Sequence, residues 1–397
     1  MTLDTDIFIS GGGIAGLAAA GALADLGLSV VLADPAPPQD TGSVAGADLR
    51  STAYLQPARA LFERAGLWAD LAPHATPLET LQVIDTTGTP PKVRTTRAFE
   101  ATDISDAPFG WNIPNWRARA VLAGALGTRV DLRLGVGFAD ILQRDREARV
   151  TLTDGARLRA RLVLAADGRS SPLRDALGIG VKTTRYGQVA LAFCVTHEAP
   201  HANISTEIYN RGGAFTLVPL PDIDAKPASA VVWMNDARAA VDIAALPQAE
   251  FNARASERST GVLGALTRIG GVGQWPVITQ TATDLTAPRA ALMAEAAHVM
   301  PPIGAQGLNT SLQDVAALID AVTAHPGDPG APAVLDAFAK SRRADIKLRA
   351  GAIDLFNRVC QSDNPGIQTL RSTGLKAVHD IKPLRRAVMT AGLGPNR

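Results

Sequence analysis

Residues 5–34 read TDIFISGGGIAGLAAAGALADLGLSVVLAD, and this stretch decides the fold. A short apolar run leads into a glycine-rich turn, then into an alanine- and leucine-rich segment with helical spacing, and then into a second apolar run. Segments in this order within about 30 residues are typical of a strand, a helix and a second, parallel strand. The opening of the chain therefore predicts one unit of a parallel sheet that is covered by helices.

The turn in this unit carries the spacing G-x-G-x-x-G at Gly11, Gly13 and Gly16. In that spacing the first glycine allows the tight turn, the second lets a pyrophosphate reach the backbone, and the third packs the helix against the strand. The helix N-terminus faces the anion, and Asp34, at the end of the second strand, can accept hydrogen bonds from an adenosine ribose. We therefore predict a dinucleotide site, which these residues alone do not assign to FAD or to NAD.

Composition limits the classes of protein to consider. The 397 residues are 46% hydrophobic with a net charge of +1, which is typical of an ordinary soluble α/β protein. Cys194 and Cys360 stand far apart with no CxxC spacing, so we expect no disulfide, no metal site and a reducing, cytoplasmic setting. The sequence shows neither a secretory signal nor an apolar run of about 18 residues, the length of a membrane helix. We expect no nucleic-acid partner.

Positive charge is concentrated near the C-terminal end of the chain. Residues 340–397 contain twelve Lys or Arg and four Asp or Glu, a balance of +8, although the whole chain has only +1. Such a region is typical of a solvated helical face, of contact with an acidic partner or of contact with an anionic membrane. Helical spacing predicts one apolar stripe there, which either packs in the core or rests on lipid or a partner subunit, and it consists of Ile346, Ala350, Ile353 and Phe356.

The rest of the chain predicts two interleaved domains and a helical end. Residues 80–94, TLQVIDTTGTPPKVR, have the pattern of a hairpin, and 186–233 alternate like the strands of an antiparallel sheet. Helical patterns follow at 248–269 and 310–324. We predict an α/β fold with a Rossmann-like dinucleotide-binding domain, a parallel sheet with helices, interleaved with a mostly antiparallel substrate domain and followed by a C-terminal helical segment. The predicted boundaries are 1–75, 100–180 and 276–340 for the first domain, 76–99 and 181–275 for the second, and 341–397 for the helical segment.

Three later motifs assign the dinucleotide. LVLAADGRSSPLR at 162–174 matches A-D-G-x-x-S-x-x-R with Asp167 as its acid, and residues 48–50 match D-x-R. Residues 289–315, RAALMAEAAHVMPPIGAQGLNTSLQDV, place a proline- and glycine-rich loop before a helix. These motifs resemble those of the single-component aromatic flavin hydroxylases, in which the last has the form G-D-A-A-H and then P-x-x-G-Q-G-x-N. The resemblance spans essentially the whole chain, and the segments YGQVALAFCVTHEAPH, AFTLVPL and LFN…LRSTGLKAV are similar to the ubiquinone-biosynthesis hydroxylases of that family.

The resemblance implies FAD as the bound cofactor, with NAD(P)H and O₂ as co-substrates and oxygen delivered to a phenol ring through a flavin C4a-hydroperoxide. Because the flavin carries the difficult chemistry, no catalytic residue is named. Glycines in the second loop bring bare backbone to the isoalloxazine ring, and the following helix, predicted from Thr310, directs its N-terminus at the ring. The predicted cofactor-binding residues are Gly11, Gly13, Gly16, Asp34, Arg50, Asp167, Glu295, Pro302, Gly304, Gln306, Gly307, Leu308 and Asn309.

The same resemblance implies a polyprenylated phenol as substrate. Tyr209, Phe215 and Pro219 are the predicted wall for it, although core packing is the commoner reason for aromatic residues in such strands. A protein with such a substrate is expected in the cytoplasm, where its basic C-terminal region can contact the inner face of the membrane or a biosynthetic complex. A flavin hydroxylase of a soluble aromatic compound, and a non-catalytic subunit of a biosynthetic complex, remain as alternatives.

One dipeptide departs from the family pattern, because Ala294-Glu295 stands where the family has Gly-Asp. Glu295 keeps the carboxylate that is expected to bind the ribityl chain, but it adds one methylene. Ala294 costs on the order of 1 kcal/mol if its φ is positive. The departure leaves open whether the FAD site is weakened.

Overall fold

The computed structural model describes residues 3–42, 48–362 and 364–394. The strands are β1 (Thr5–Ser10), β2 (Val30–Asp34), β3 (Ser51–Leu55), β4 (Thr76–Leu78), β5 (Thr80–Thr87), β6 (Lys92–Glu100), β7 (Gly110–Pro114), β8 (Asp131–Leu134), β9 (Phe138–Gln143), β10 (Ala148–Leu152), β11 (Arg157–Ala165), β12 (Val181–Thr196), β13 (Ile204–Asn210), β14 (Gly213–Ile223), β15 (Lys226–Asp236), β16 (Thr267–Ala282), β17 (Thr286–Ala287), β18 (Ala290–Leu292) and β19 (His298–Val299). The helices are α1 (Ile14–Asp25), α2 (Gln56–Arg64), α3 (Trp68–Leu71), α4 (Asn115–Leu126), α5 (Pro172–Ala176), α6 (Ala237–Ala244), α7 (Gln248–Arg258), α8 (Gln306–Ala324), α9 (Pro332–Gln361), α10 (Pro365–Asp380) and α11 (Lys382–Leu393).

The opening residues form the predicted β1-α1-β2 unit. β1 lies between β2 and β11 and is parallel to both, with Ile7 opposite Val30 on one side and Leu162 on the other. The sheet has the order β17-β18-β11-β1-β2-β8, and β10 and β9 extend it as antiparallel strands from β11. Nearly all residues of α1 are buried because α4 and α8 enclose it against this sheet. A helix that is apolar on every side suits such a position.

A second sheet stands apart from the first and has the order β19-β16-β12-β15-β14-β13-β5-β6. Its strands are antiparallel except for the pair β13 and β5. Helices α6 and α7 cover one face, where Phe215 packs with Trp233 and Phe251. Because side chains alternate along a strand, the opposite face carries a different set, which includes Tyr209 and packs toward α9 to α11. The mixed α/β fold with parallel and antiparallel sheets and C-terminal helices is therefore confirmed.

Several element boundaries differ from the prediction. The helix expected from Thr310 begins at Gln306, because glycine is tolerated in a first turn although it is a poor former of helix interiors. The helical pattern predicted to Ile269 ends at Arg258, and β16 begins at Thr267. The domain limit placed between residues 275 and 276 falls inside β16, and the limit between 340 and 341 falls inside α9, which is one continuous helix.

Candidate cofactor and substrate site

A cavity of about 960 Å³ runs between the first sheet, the second sheet and the C-terminal helices. At one end it is lined by the glycine turn at Gly13 and by the N-terminal turn of α8 at Gly307. At the other end it is lined by strands of the second sheet and by α9 to α11, as far as Val388 and Met389. Most of the residues predicted for a cofactor and those that can contact an apolar substrate therefore line one continuous cavity.

The three glycines of the first turn have different structural reasons to be glycine. A Cβ on Gly11 would lie 2.3 Å from the carbonyl oxygen of Ala166, and one on Gly16 would lie 2.0 Å from that of Gly11. Both are therefore required for the close approach of turn, helix and strand. Gly13 lines the cavity, and apart from its chain neighbours no described atom lies within 4 Å of the place a Cβ would occupy. Its backbone is thus open to a ligand at the uncapped start of α1.

Asp34 is bound to this turn rather than exposed on the cavity wall. Its Oδ2 accepts a hydrogen bond of 2.6 Å from the backbone N–H of Gly12, and its Oδ1 lies 3.0 Å from Nη2 of Arg119. Arg119, which projects from α4, lines the cavity and donates a 2.7 Å hydrogen bond to the carbonyl oxygen of Gly12. The sequence did not single out Arg119, since only the fold brings α4 to the glycine turn. The role of Asp34 toward an adenosine ribose stays a prediction.

Asp167 lies directly behind the cavity wall, between Ala166 and Gly168, which both line the cavity. Its Oδ2 accepts hydrogen bonds from Ser10 Oγ at 3.1 Å and from the backbone N–H of Leu173 at 3.2 Å. Burial raises the pKa of this carboxyl group above its usual value, more than these donors lower it. Its buried Oδ1 has no hydrogen-bond partner among the described residues. A buried acceptor without a donor is a position where a bound polar ligand would be favoured.

Arg50 and Glu295 face each other across the cavity wall, with Nη1 of the arginine 3.8 Å from Oε1 of the glutamate. Arg50 also makes a 2.7 Å ion pair with Asp48 and stacks over the ring of Trp275, 4.0 Å from its centroid. The side chain of Glu295 is 46% exposed. The longer glutamate therefore reaches the cavity, and it does so beside a fixed positive charge.

Ala294 adopts a left-handed conformation with φ of +55°, at the start of a 3₁₀ turn over Ala294–Ala296. Counted from Pro302, the family pattern P-x-x-G-Q-G-x-N also has a glycine where this chain has Ala305, a departure that was not noted from the sequence. Ala305 likewise has φ of +55°, and it is the residue just before α8. Two alanines thus occupy left-handed positions that glycine fills without strain, each at a cost of about 1 kcal/mol.

The loop before α8 forms a large part of the cavity wall through Pro302, Gly304, Gln306, Gly307 and Leu308. Of the described side chains, none caps the N-terminus of α8. Apart from Gln306, whose N–H donates to the carbonyl oxygen of Ile303 at 3.4 Å, the N–H groups of its first turn are therefore available to a ligand. An isoalloxazine ring that becomes negative on reduction fits this end of the helix dipole.

Asn309 has a different position from the residues just before it, since it is buried and lies outside the cavity wall. Its Nδ2 donates to the carbonyl oxygens of Ala53 and Ala305, both at 2.7 Å, and its Oδ1 accepts from the N–H of Leu55 at 3.0 Å. These bonds tie β3 to the start of α8. Asn309 therefore positions the loop, and a direct contact with the cofactor stays a prediction.

Behind the loop lies a buried polar network centred on Asp314 of α8. Its Oδ2 accepts from the N–H of Ala294 at 2.9 Å and lies 2.7 Å from Nε2 of His298, while its Oδ1 accepts from Nε of Arg342 at 2.7 Å. Burial by itself raises the pKa of Asp314, but the attraction of His298 and Arg342 outweighs burial and leaves the pKa below its usual value. The carboxylate stays ionised and fixes both the segment at 294–298 and α9.

Of the three residues predicted for the substrate wall, the structure brings only one to the cavity. Tyr209 lines the cavity, whereas Phe215 is fully buried in the aromatic cluster on the opposite face of the second sheet. Pro219 is also buried outside the cavity, and its carbonyl oxygen accepts a hydrogen bond from Asn112. Strand alternation is the reason: on β14 the residues that reach the cavity are Thr216 and Val218, one position away from those predicted.

The apolar stripe at 346–356, for which the sequence left core packing and lipid contact open, lies mainly in the core. Ile346, Ala350 and Ile353 are buried against the rest of the protein, and Phe356 lines the cavity. Phe356 and several other side chains of the C-terminal helices are exposed. Of the thirteen exposed large apolar side chains in the described residues, eight belong to this region: Leu348, Leu355, Phe356, Ile367, Leu370, Ile381, Leu384 and Val388. Three of them, Phe356, Leu370 and Val388, also line the cavity, so the exposed apolar surface continues into it.

Comparison with known proteins places this geometry in a family. A family model described as "FAD binding domain" matches residues 4–348. The chain is 33% identical to "Ubiquinone hydroxylase UbiL" of Rhodospirillum rubrum, with 98% of this chain and 89% of that protein covered. It is 27% identical to the "3-demethoxyubiquinol 3-hydroxylase" of Escherichia coli, with 98% of each covered. Among solved structures, p-nitrophenol 4-monooxygenase PnpA from Pseudomonas putida has the same fold, with a TM-score of 0.80 at 19% identity over the full length of both chains.

Proposed function

Since this chain belongs to the FAD-binding domain family, we propose that it is an FAD-dependent monooxygenase that hydroxylates the ring of a polyprenylated phenol in ubiquinone biosynthesis. NAD(P)H and O₂ are the co-substrates. The observation that carries this proposal is the single cavity that joins the glycine turn and the start of α8 to an apolar chamber. The substrate class rests on the similarity over nearly the whole chain to proteins named ubiquinone hydroxylases.

The residues on the cavity wall fit FAD. The open backbone at Gly13 and the side chain of Arg119 suit the pyrophosphate, and the unsatisfied Oδ1 of Asp167 suits a hydroxyl or N–H donor of the cofactor. Arg50, Glu295 and the loop at 302–308 are proposed for the isoalloxazine end. Bound FAD supplies the redox chemistry and the activation of O₂. The protein orients the ring, keeps water away from it and places charge near it.

The apolar end of the cavity suits the substrate. Side chains of the second sheet, such as Val83 and Val232, face Leu375, Val378 and Met389 of the C-terminal helices across it. A prenyl tail gains on the order of 0.8 kcal/mol for each methylene buried in such a chamber. A small soluble phenol would contact little of this apolar surface, so the chamber favours the prenylated substrate over the soluble alternative.

We further propose that the exposed apolar side chains of α9 to α11 rest on an anionic membrane. Three of them, Phe356, Leu370 and Val388, line the end of the cavity through which a membrane-soluble substrate would enter. Lys382 and Arg386 lie beside Leu384 and Val388 on α11. Apolar insertion and attraction of basic residues to anionic headgroups act together at such a surface. In the described residues no helix is long and apolar enough to cross a bilayer.

A non-catalytic subunit remains the second candidate, because Ala294 and Ala305 are both strained at positions where the family pattern has glycine. Absorbance spectra of the purified protein, taken after FAD addition and desalting, separate the two functions. Retained flavin that NAD(P)H reduces, with O₂ consumption that rises on addition of a short-chain prenylphenol, is the result expected of the enzyme. Loss of all flavin on desalting, with full retention in the Ala294→Gly, Ala305→Gly variant, would instead support the subunit.

A further inference from the structure

Glu207 is an acidic residue in an apolar wall, and the sequence did not single it out. It lies on β13, in a cross-strand row with Val83 on β5 and with Thr216 and Val232 on β14 and β15, and all four line the cavity. Within the described residues no cation lies close enough to form an ion pair with it. A carboxylate in such a position is costly unless it has donors, and carboxylates of this kind are typical of functional sites.

Glu207 contacts both a residue of the second sheet and the loop before α8. The hydroxyl group of Tyr209 donates a hydrogen bond to its Oε2, and the backbone N–H of Gly304, in the proposed isoalloxazine loop, also interacts with the carboxyl group. Burial raises the pKa of Glu207, and these two donors only partly offset that effect. A carboxylate with a raised pKa is a stronger base than an exposed glutamate.

The charged groups nearby have their own partners. Arg371 on α10 makes a 2.6 Å ion pair with Asp85 on β5 and donates to the carbonyl oxygen of Cys360 on α9. Arg258 on α7 donates to the backbone of β13 and β14 from the other face of the sheet. Glu207 is therefore left with the Tyr209 hydroxyl, the Gly304 N–H and whatever the cavity contains.

We propose that Glu207 accepts the hydrogen bond of the substrate's phenolic hydroxyl and takes its proton when the ring is hydroxylated. This deepens the proposed function and rests on it. As the new C–O bond forms, the phenolic O–H bond breaks, its electron pair enters the ring, and the proton passes to the Glu207 carboxylate. Loss of the ring C–H proton to water then restores the aromatic ring, and Glu207 returns its proton to the oxygen. NAD(P)H supplies two electrons and O₂ supplies the inserted oxygen atom. The O–O bond breaks as the new C–O bond forms, and the second oxygen atom leaves as water.

The recognition half of this proposal can be measured without turnover. Equilibrium dialysis would compare a geranylated phenol with its methyl ether, which has the same tail and no hydroxyl proton. In the wild type we expect the phenol to bind on the order of tenfold more tightly than the ether, the difference made by a hydrogen bond to a charged group. Glu207→Gln should weaken phenol binding by a similar factor and leave ether binding unchanged. Glu198→Gln, an exposed glutamate outside the cavity, is the matched control.

Tyr209→Phe provides a second variant, since it removes a donor from Glu207 but keeps the carboxylate. It should preserve the preference for the phenol over the ether. In the wild type this preference should fall as the pH is lowered and Glu207 is protonated, and in Glu207→Gln it should not depend on pH. Equal losses of phenol and ether binding in Glu207→Gln would overturn the proposal and show a structural role. A wild type that hydroxylates the phenol but binds phenol and ether equally would overturn the role of Glu207, while the proposed function would stand. A wild type that binds neither compound would overturn the role of Glu207 and the proposed function together.

Discussion

Asp314 accepts a hydrogen bond from the backbone N–H of Ala294 at 2.9 Å, and it thereby joins α8 to the residue that departs most clearly from the family pattern. Ala294 has the left-handed conformation that the family's glycine would adopt without strain. The alanine is thus held in an unfavourable conformation by a buried carboxylate that is itself fixed by Arg342. The buried hydrogen bonds of Asp314 with Ala294, His298 and Arg342 therefore hold this conformation although the residue is not glycine.

The first prediction concerns this strain. Ala294→Gly and Ala305→Gly should each stabilise the protein by about 0.5–1 kcal/mol, since a residue with φ of +55° changes to the one that tolerates it. FAD affinity should rise by a few-fold as the loop is relieved. Thermal unfolding and flavin fluorescence titration measure the two effects. Ala297→Gly is the control, since Ala297 has φ of −91° and glycine there should destabilise. A loss of stability in both test variants would refute the account of strain.

The second prediction concerns Asp314. Asp314→Asn should destabilise the protein by about 3–5 kcal/mol, because the buried guanidinium of Arg342 loses the fully buried one of its two carboxylate partners, Asp314 and Asp345. Since the pKa of Asp314 is depressed in the folded state, its contribution is complete above the unfolded value of about 4 and is lost as the pH falls through the folded value. The difference in melting temperature between wild type and variant should therefore shrink below about pH 4. Asp320→Asn, at an exposed position on the same helix, should have little effect at any pH.

The third prediction concerns the residue that the sequence did not reveal. Arg119→Gln should lower FAD affinity on the order of tenfold, since it removes a positive charge beside the glycine turn and the ion pair with Asp34. Arg117→Gln is the matched control two residues away, where the side chain stacks on Trp116 and lies outside the cavity wall. Titration of the apoprotein with FAD measures both. Equal affinities in the two variants would remove Arg119 from the cofactor site.

The fourth prediction concerns the surface around the cavity entrance. Replacement of Leu384 and Val388 by Gln should reduce binding to phosphatidylcholine vesicles that contain phosphatidylglycerol, and added salt should reduce binding of the wild type. Val241→Gln, an equally exposed apolar residue on α6, is the control and should bind as the wild type does. Sedimentation with vesicles provides the measurement. Unchanged binding in the double variant would show that this surface does not meet the membrane.

The sequence predicts the parts of the site that are local. The glycine turn, the Asp-Gly motif and the loop before α8 each lie within a short segment whose spacing carries its own physical meaning. Arg119 and Glu207 escaped notice because their importance depends on which distant elements meet, and no short-range pattern encodes that. The sequence does contain a sign of Glu207, since it lies two residues before Tyr209 and therefore shares one face of β13 with it. An acidic residue in a strand is, however, usually solvated.

The errors have equally local causes. Phe215 and Pro219 were placed on the cavity because the strand pattern does not state which face is which, and a shift of one residue exchanges the faces. The stripe at 346–356 was compatible with core or lipid, and only the packing of α9 on α8 decides for the core. A left-handed backbone at an alanine cannot be predicted from the sequence unless the family motif has glycine at that position, as it does for Ala294 and Ala305.

The central claim is that this protein inserts oxygen from O₂ into a prenylated phenol with FAD as its cofactor. The most direct test is to incubate the FAD-loaded protein with NAD(P)H and a geranylated phenol under oxygen-18 gas and to analyse the product by mass spectrometry. We predict a hydroxylated ring that carries one labelled oxygen atom for each NAD(P)H consumed in coupled turnover. Reduced flavin that reacts with oxygen but leaves the phenol unchanged, or a product without the label, would contradict the account.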